Sequence, residues 1–133
     1  MRKFKLVASF ILFSLLIVPT LVQAQTVLLG EKEKIEALIK VVSQLKTATF
    51  MRNGSNYSAD TAATFLRLKW RANDSLIKTA HDFIDKIGSI SGTSGKPYLI
   101  RMRDGSEVNS REFLLGELKK LETVTADRTG NSS

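Results

Sequence analysis

The chain contains no cysteine. No disulfide can brace it, no thiol can serve as nucleophile or redox centre, and the lipid-attachment cysteine of a lipoprotein is missing. It has one histidine, His81, so no cluster of imidazoles can bind a metal. His81 and Asp85 lie one helical turn apart and could offer two ligands, but zinc needs three or four, and nothing else in the sequence completes the set. A Ser-His-Asp triad would have to use the same His81. Long hydrophobic runs are also lacking. The longest, Leu6 to Val18, is interrupted by Ser9 and Ser14 and is shorter than the about 20 residues a spanning helix requires.

What stands at the start is instead a three-part leader. Arg2, Lys3 and Lys5 make a basic opening, the apolar run follows, Pro19 ends it, and Val22-Gln23-Ala24 supplies a small-residue cleavage site. This is the pattern of a secretory signal peptide. Cleavage is expected after Ala24, with no stable membrane anchor left. The protein is then periplasmic or secreted. Loss of the three basic residues lowers the net charge from +7 to +4, which suits an anionic envelope component or an acidic protein as partner. Nucleic acid is not expected outside the cytosol.

Within residues 25–122 a single domain is expected, followed by a polar, breaker-rich tail over 123–133. Ile35, Leu38, Ile39, Val42 and Leu45 fall on one face of a helix. A short unit then occurs twice. Met51-Arg52-Asn53-Gly54-Ser55 returns as Met102-Arg103-Asp104-Gly105-Ser106. Each copy reads as strand, turn, return strand and helix cap, with Gly54 and Gly105 permitting the turns and Ser58 and Asn109 launching helices. The first register is open. A two-residue turn opposes Phe50 to Tyr57, and a three-residue loop opposes Thr49 to Tyr57. In the second, a three-residue Arg103-Asp104-Gly105 loop opposes Ile100 to Val108 and Arg101 to Glu107, which separates apolar from charged pairs.

The helix after Ser58 carries Ala62, Phe65, Leu66, Lys69 and Trp70 at its inward phase. Residues 59–88 could form one helix or two. Thr79 and Asp82 have the spacing of a capping box, which favours a break, with Gly88 as the C-cap of the second piece. Asn109 and Glu112 suggest another capping box. The expected fold is α+β: helix-hairpin-helix twice, with two β-hairpins in one small antiparallel sheet packed with about four helices.

Several stretches have the content and order of a known group. Arg52-Asn53-Gly54, Leu66-Arg67-Leu68-Lys69, Thr79-Ala80 with Phe83-Ile84-Asp85-Lys86, and Gly95-Lys96-Pro97-Tyr98 resemble the YfeK-like family of small exported bacterial proteins, a domain of unknown function. The resemblance covers about residues 31–115. It implies export and a single domain, and it implies no activity. The missing cysteine departs from some relatives, and His81 stands where an acidic or amide residue is expected.

Candidate chemistry centres on Ser91-Gly92-Thr93-Ser94-Gly95-Lys96. Such a loop can turn backbone N–H groups inward around an anion, with Lys96 adding charge. It is not a phosphate loop of the nucleotide-binding kind, because Ile90 and Pro97 stand where Gly and Ser or Thr are needed. Binding residues are expected among Arg52, Asn53, Arg67, Lys69, Ser94, Gly95 and Lys96, as a basic patch beside the loop. No cofactor, catalytic residue or metal site is implied. A non-catalytic binding or envelope-accessory domain for an anionic partner fits best. Two alternatives remain. A small serine/lysine-type hydrolase would use Ser91, Thr93 or Ser94 with a Lys96 held by a hydroxyl. A purely structural interaction module would show an exposed apolar patch or an open sheet edge.

Overall fold

The apolar stripe from Ile35 to Val42 builds helix α1, Glu31–Gln44. Ile35, Leu38, Ile39 and Val42 are all buried, and burial of each such side chain stabilises by roughly 1.5–3 kcal/mol. The computed structural model describes residues 29–130. The leader and its cleavage site lie outside the described residues. Strands β1 (Thr49–Arg52) and β2 (Ser55–Tyr57) follow, then α2 (Ala59–Ala72). A 3-10 turn over Asp74–Leu76 leads to α3 (Ala80–Phe83), which widens into a π turn over Ile84–Gly88. Strands β3 (Leu99–Arg101) and β4 (Glu107–Asn109) then lead into α4 (Ser110–Gly130).

The two hairpins join in one sheet of order β2-β1-β3-β4, antiparallel throughout. The first hairpin takes the two-residue turn. Phe50 opposes Tyr57 and Arg52 opposes Ser55, with Asn53 at φ 51° and Gly54 at φ 79°. The second has the three-residue loop. Ile100 opposes Val108, and Arg101 faces Glu107 with guanidinium–carboxylate contacts of 2.8 and 3.1 Å. Gly105 holds φ 86°. The seam between the hairpins pairs Phe50 with Ile100.

Residues 59–88 form two helices with a break. Asn73 ends α2 by turning its Nδ2 onto the Lys69 carbonyl, 2.7 Å away. Both halves of the expected capping box are present, with Thr79 Oγ1 accepting from the Asp82 N–H and Asp82 accepting from the Thr79 N–H. Glu31 also accepts from the Ala80 N–H at 2.7 Å, tying the start of α1 to the start of α3.

Three details differ from the sequence expectation. Gly88 does not end a helix in the left-handed region. It lies in the π turn, and a Cβ there would stand 2.6 Å from Leu114 Cδ1, so glycine allows α4 to approach. Before α4, Asn109 Oδ1 accepts from the Arg111 N–H at 3.0 Å, but among the described residues no bond from Glu112 completes the box. Finally, α4 runs on to Gly130, so the described part of the stretch expected as a tail is helical.

The core lies where the four helices meet. Phe83, Ile84, Ile87, Leu114 and Leu118 are buried against α1, and Trp70 meets Phe83 edge-on at 6.0 Å. Phe50 brings the sheet against it.

Candidate functional site

A lysine at the inward phase of an otherwise apolar helix must find oxygen partners or stay wet. Lys69 finds them. Its Nζ donates to the Ile87 carbonyl (3.0 Å), the Ile90 carbonyl (2.9 Å) and the Tyr98 hydroxyl (3.1 Å). An ammonium has three donors, so this set is complete, and every partner is neutral. Arg52, at the end of β1, lies over the Phe65 ring with its guanidinium carbon 4.6 Å from the centroid. Phe65 in turn meets Tyr98 edge-on at 6.1 Å. Arg52 Nε is buried and has no hydrogen-bond partner among the described residues.

Two cations thus converge on Tyr98 from the sheet and from α2. Ion pairs elsewhere join Lys46 to Asp60, Arg67 to Glu36, Arg101 to Glu107 and Arg111 to Asp85. Neither Arg52 nor Lys69 takes part in an ion pair among the described residues. The electrostatic consequences have the expected signs. Burial lowers the Lys69 pKa from its ordinary value, and the Arg52 charge lowers it further. Burial raises the Tyr98 hydroxyl, with the Arg52 charge pulling the other way.

Beside these groups lies a half-open cavity of about 90 Å³ between the sheet and α2. Phe50, Tyr57, Ala62, Phe65 and Leu66 make its wall mostly apolar, and among the described residues Arg52 is the one charged residue lining it. Ser110, buried at the first position of α4, lines it as well.

Asn53 does different work. From the first turn it reaches the Ser/Gly loop, donating to Ser91 Oγ at 3.0 Å and Thr93 Oγ1 at 3.3 Å, and accepting from the Ser94 hydroxyl. The loop is therefore tied to the hairpin tip. Its own oxygens also use its N–H groups. The Gly95 N–H goes to the Ser91 carbonyl, the Lys96 N–H to Ser94 Oγ and the Thr93 N–H to Ser91 Oγ. These three donors are then not free to cradle an anion.

The sequence-expected binding residues divide into three places. Arg52 and Lys69 meet at Tyr98. Asn53, Ser94, Gly95 and Lys96 share the loop corner. Arg67 stands on another face of α2, 2.7 Å from Glu36 in the groove between α1 and α2, so the four basic residues do not make one patch. Lys96 is exposed, and its ammonium has no hydrogen-bond or ion-pair partner among the described residues, while Ser91 is 1 % exposed and held by Asn53 and Thr93. No hydroxyl is poised on a lysine in that loop. Leu68, 59 % exposed, stands at the edge of the α1–α2 groove.

Phe65 and Tyr98 were not singled out by sequence as site residues, since both read as core. The available signal was Lys69 itself, a lysine in phase with Leu66 and Trp70.

Among the described residues no helix is long and apolar enough to cross a membrane, and no group of three or more His, Asp or Glu side chains is placed to hold a metal. No solved structure matches the chain. The uncharacterized protein YfeK of Salmonella typhimurium strain LT2 is 41% identical over 68 residues, 51% of this chain. The match spans only 57% of that relative's length. A family of unknown function, DUF5329, matches residues 30–122. That span runs from the start of α1 well into α4 and takes in both hairpins, and the chain belongs to this family.

Proposed function

We propose that the protein is exported, loses its first 24 residues, and acts in the periplasm or outside the cell as a non-catalytic binding domain for an anionic partner. The basic, apolar and small-residue sections of the leader support export. One observation carries the binding function: Arg52 and Lys69 converge on Tyr98, partly buried and without a carboxylate. Withdrawing an unpaired charge from water costs several kcal/mol. A partly buried, perturbed charge beside a cleft marks a candidate functional site. Arg52 brings its guanidinium to the cavity wall, and Lys69 adds charge behind it. Asn53, Ser94 and Gly95 set the loop whose exposed Lys96 attracts anions at longer range. Arg67, occupied by Glu36, stands outside this group.

The test is an NMR titration of the purified protein with sodium acetate and with sodium phosphate, each against sodium chloride of equal ionic strength. The Arg52 Nε–H and Tyr98 ring signals should move to saturation with at least one of the two anions, and Arg52→Met should abolish the response. No movement beyond the chloride reference with acetate, phosphate or a larger carboxylate would overturn the proposal.

A further inference from the structure

The cavity beside Arg52 narrows the class of anion, given the binding function proposed above. Its wall is apolar on the sheet side through Phe50 and Tyr57 and on the helix side through Ala62, Phe65 and Leu66. Arg52 lines that wall, while its Nε lies buried beneath the surface without a hydrogen-bond partner among the described residues. A planar guanidinium matches a carboxylate in two-pronged contact. A fully hydrated polyanion would leave the apolar wall empty, and an uncharged hydrocarbon would leave Arg52 uncompensated. One molecule satisfies both if it joins a single carboxylate to a small hydrocarbon group.

The size is set by the space. A cavity of roughly 150 Å³ lined by aliphatic and aromatic groups holds benzene. The space here is about 90 Å³, which suits a branched group of about four carbons. We infer that the site between β1 and α2 binds a free short branched-chain carboxylic acid, with its carboxylate on Arg52 and its alkyl branch between Phe50, Ala62 and Leu66. Phe65 serves twice, holding Arg52 against one face and forming part of the apolar wall. Lys69 cannot reach the ligand without releasing Ile87 or Ile90, so it acts as charge behind Tyr98 and not as a direct contact.

Calorimetric titration with acetate, 3-methylbutanoate and N-acetyl-alanyl-leucine separates the possibilities. Each methylene buried strengthens binding about fourfold. 3-Methylbutanoate should therefore bind at least tenfold tighter than acetate, and the dipeptide should bind more weakly than 3-methylbutanoate. Ala62→Leu, which fills the cavity, should bring 3-methylbutanoate down to the affinity of acetate, and a melting curve checks that this variant is folded. Equal affinities for acetate and 3-methylbutanoate in the wild type would overturn the assignment while leaving anion binding at Arg52 intact. Tighter binding of the dipeptide would also overturn it, in favour of a chain terminus. No response to any of the three, together with none to phosphate, would remove the anion site as well.

Discussion

Asn53 and Asp104 hold the same place in the two copies of the Met-Arg-Asx-Gly-Ser unit and build different turns. Asn53 itself enters the left-handed region, at φ 51°, and Gly54 follows it there. Asp104 stays out. Its Oδ1 accepts from the Ser106 N–H at 2.9 Å and from the Ser106 hydroxyl at 2.6 Å, and Gly105 alone takes positive φ. Asparagine tolerates the left-handed conformation better than most residues, and aspartate readily hydrogen-bonds the backbone two residues on. One side-chain oxygen or amide thus decides between a two-residue and a three-residue loop.

Gly105→Val should lower stability by about 1–2 kcal/mol, because a β-branched residue resists positive φ. A Cβ there meets nothing within 4 Å, so the loss is conformational and not a clash. Gly105→Asn should therefore retain most of the stability. Urea unfolding of both variants checks this, and equal losses would mean that φ is not the cause.

Gly88 is the opposite case. The φ is ordinary, and the obstacle is Leu114 Cδ1 at 2.6 Å from an added Cβ. Leu114 is fully buried and cannot swing out. Gly88→Ala should cost about 1–3 kcal/mol by overpacking, and Leu114→Val in the same chain should recover part of it. Strict additivity of the two changes in a double-mutant cycle would contradict the close approach.

Acid should destabilise the fold through three carboxylates held below their ordinary pKa. The Ala80 N–H lowers Glu31, the Lys78 N–H leads the lowering of Asp82, and the Ser106 hydroxyl leads that of Asp104. Below the ordinary values of 4.5 for Glu31 and 3.8 for the two aspartates, the unfolded chain takes up protons that the folded one refuses. Their contribution is therefore full above those values and is lost as pH falls through the lower folded ones. Melting temperature should drop from about pH 5 downward. Glu31→Gln with Asp82→Asn should flatten that drop, and an unchanged slope would remove these groups as the cause.

For the leader the expected outcome is a mature N-terminus at Gln25, read by mass spectrometry on protein recovered outside the cytoplasm. Ala24→Asp should block processing, because the cleavage site needs a small residue. Processing elsewhere in that variant and in the wild type would displace the assigned site.

Local chemistry was readable before the structure. The Thr79–Asp82 box, the Ser58 cap and the pairing of Ile100 with Val108 each follow from residues close in sequence, and the structure has all three. The first register stayed open because Phe50 and Thr49 are both acceptable opposite Tyr57, and only Asn53's conformation decides. The π turn and the contact of Gly88 with Leu114 depend on how α4 docks, which no local pattern encodes. The site was half legible. Arg52 and Lys69 were named, but the basic residues were expected together, and α2 sends Arg67 to Glu36 while Lys69 turns inward. Tyr98 reads as a core aromatic until its hydroxyl is seen between two cations.

The seam between β1 and β3 also sets an order of events. Phe50 meets Tyr57, and Ile100 meets Val108, across a few residues of chain, but Phe50 meets Ile100 only with α2 and α3 laid between them. Closing a longer loop costs more entropy, and non-local strand pairing slows folding. The hairpins can therefore flicker in and out early, and commitment waits for the two inner strands to zip. A chain that emerges N-terminus first holds Thr49–Arg52 as an open β-edge until Leu99–Arg101 arrives. During that interval the first hairpin is the part most exposed to pairing with the wrong chain.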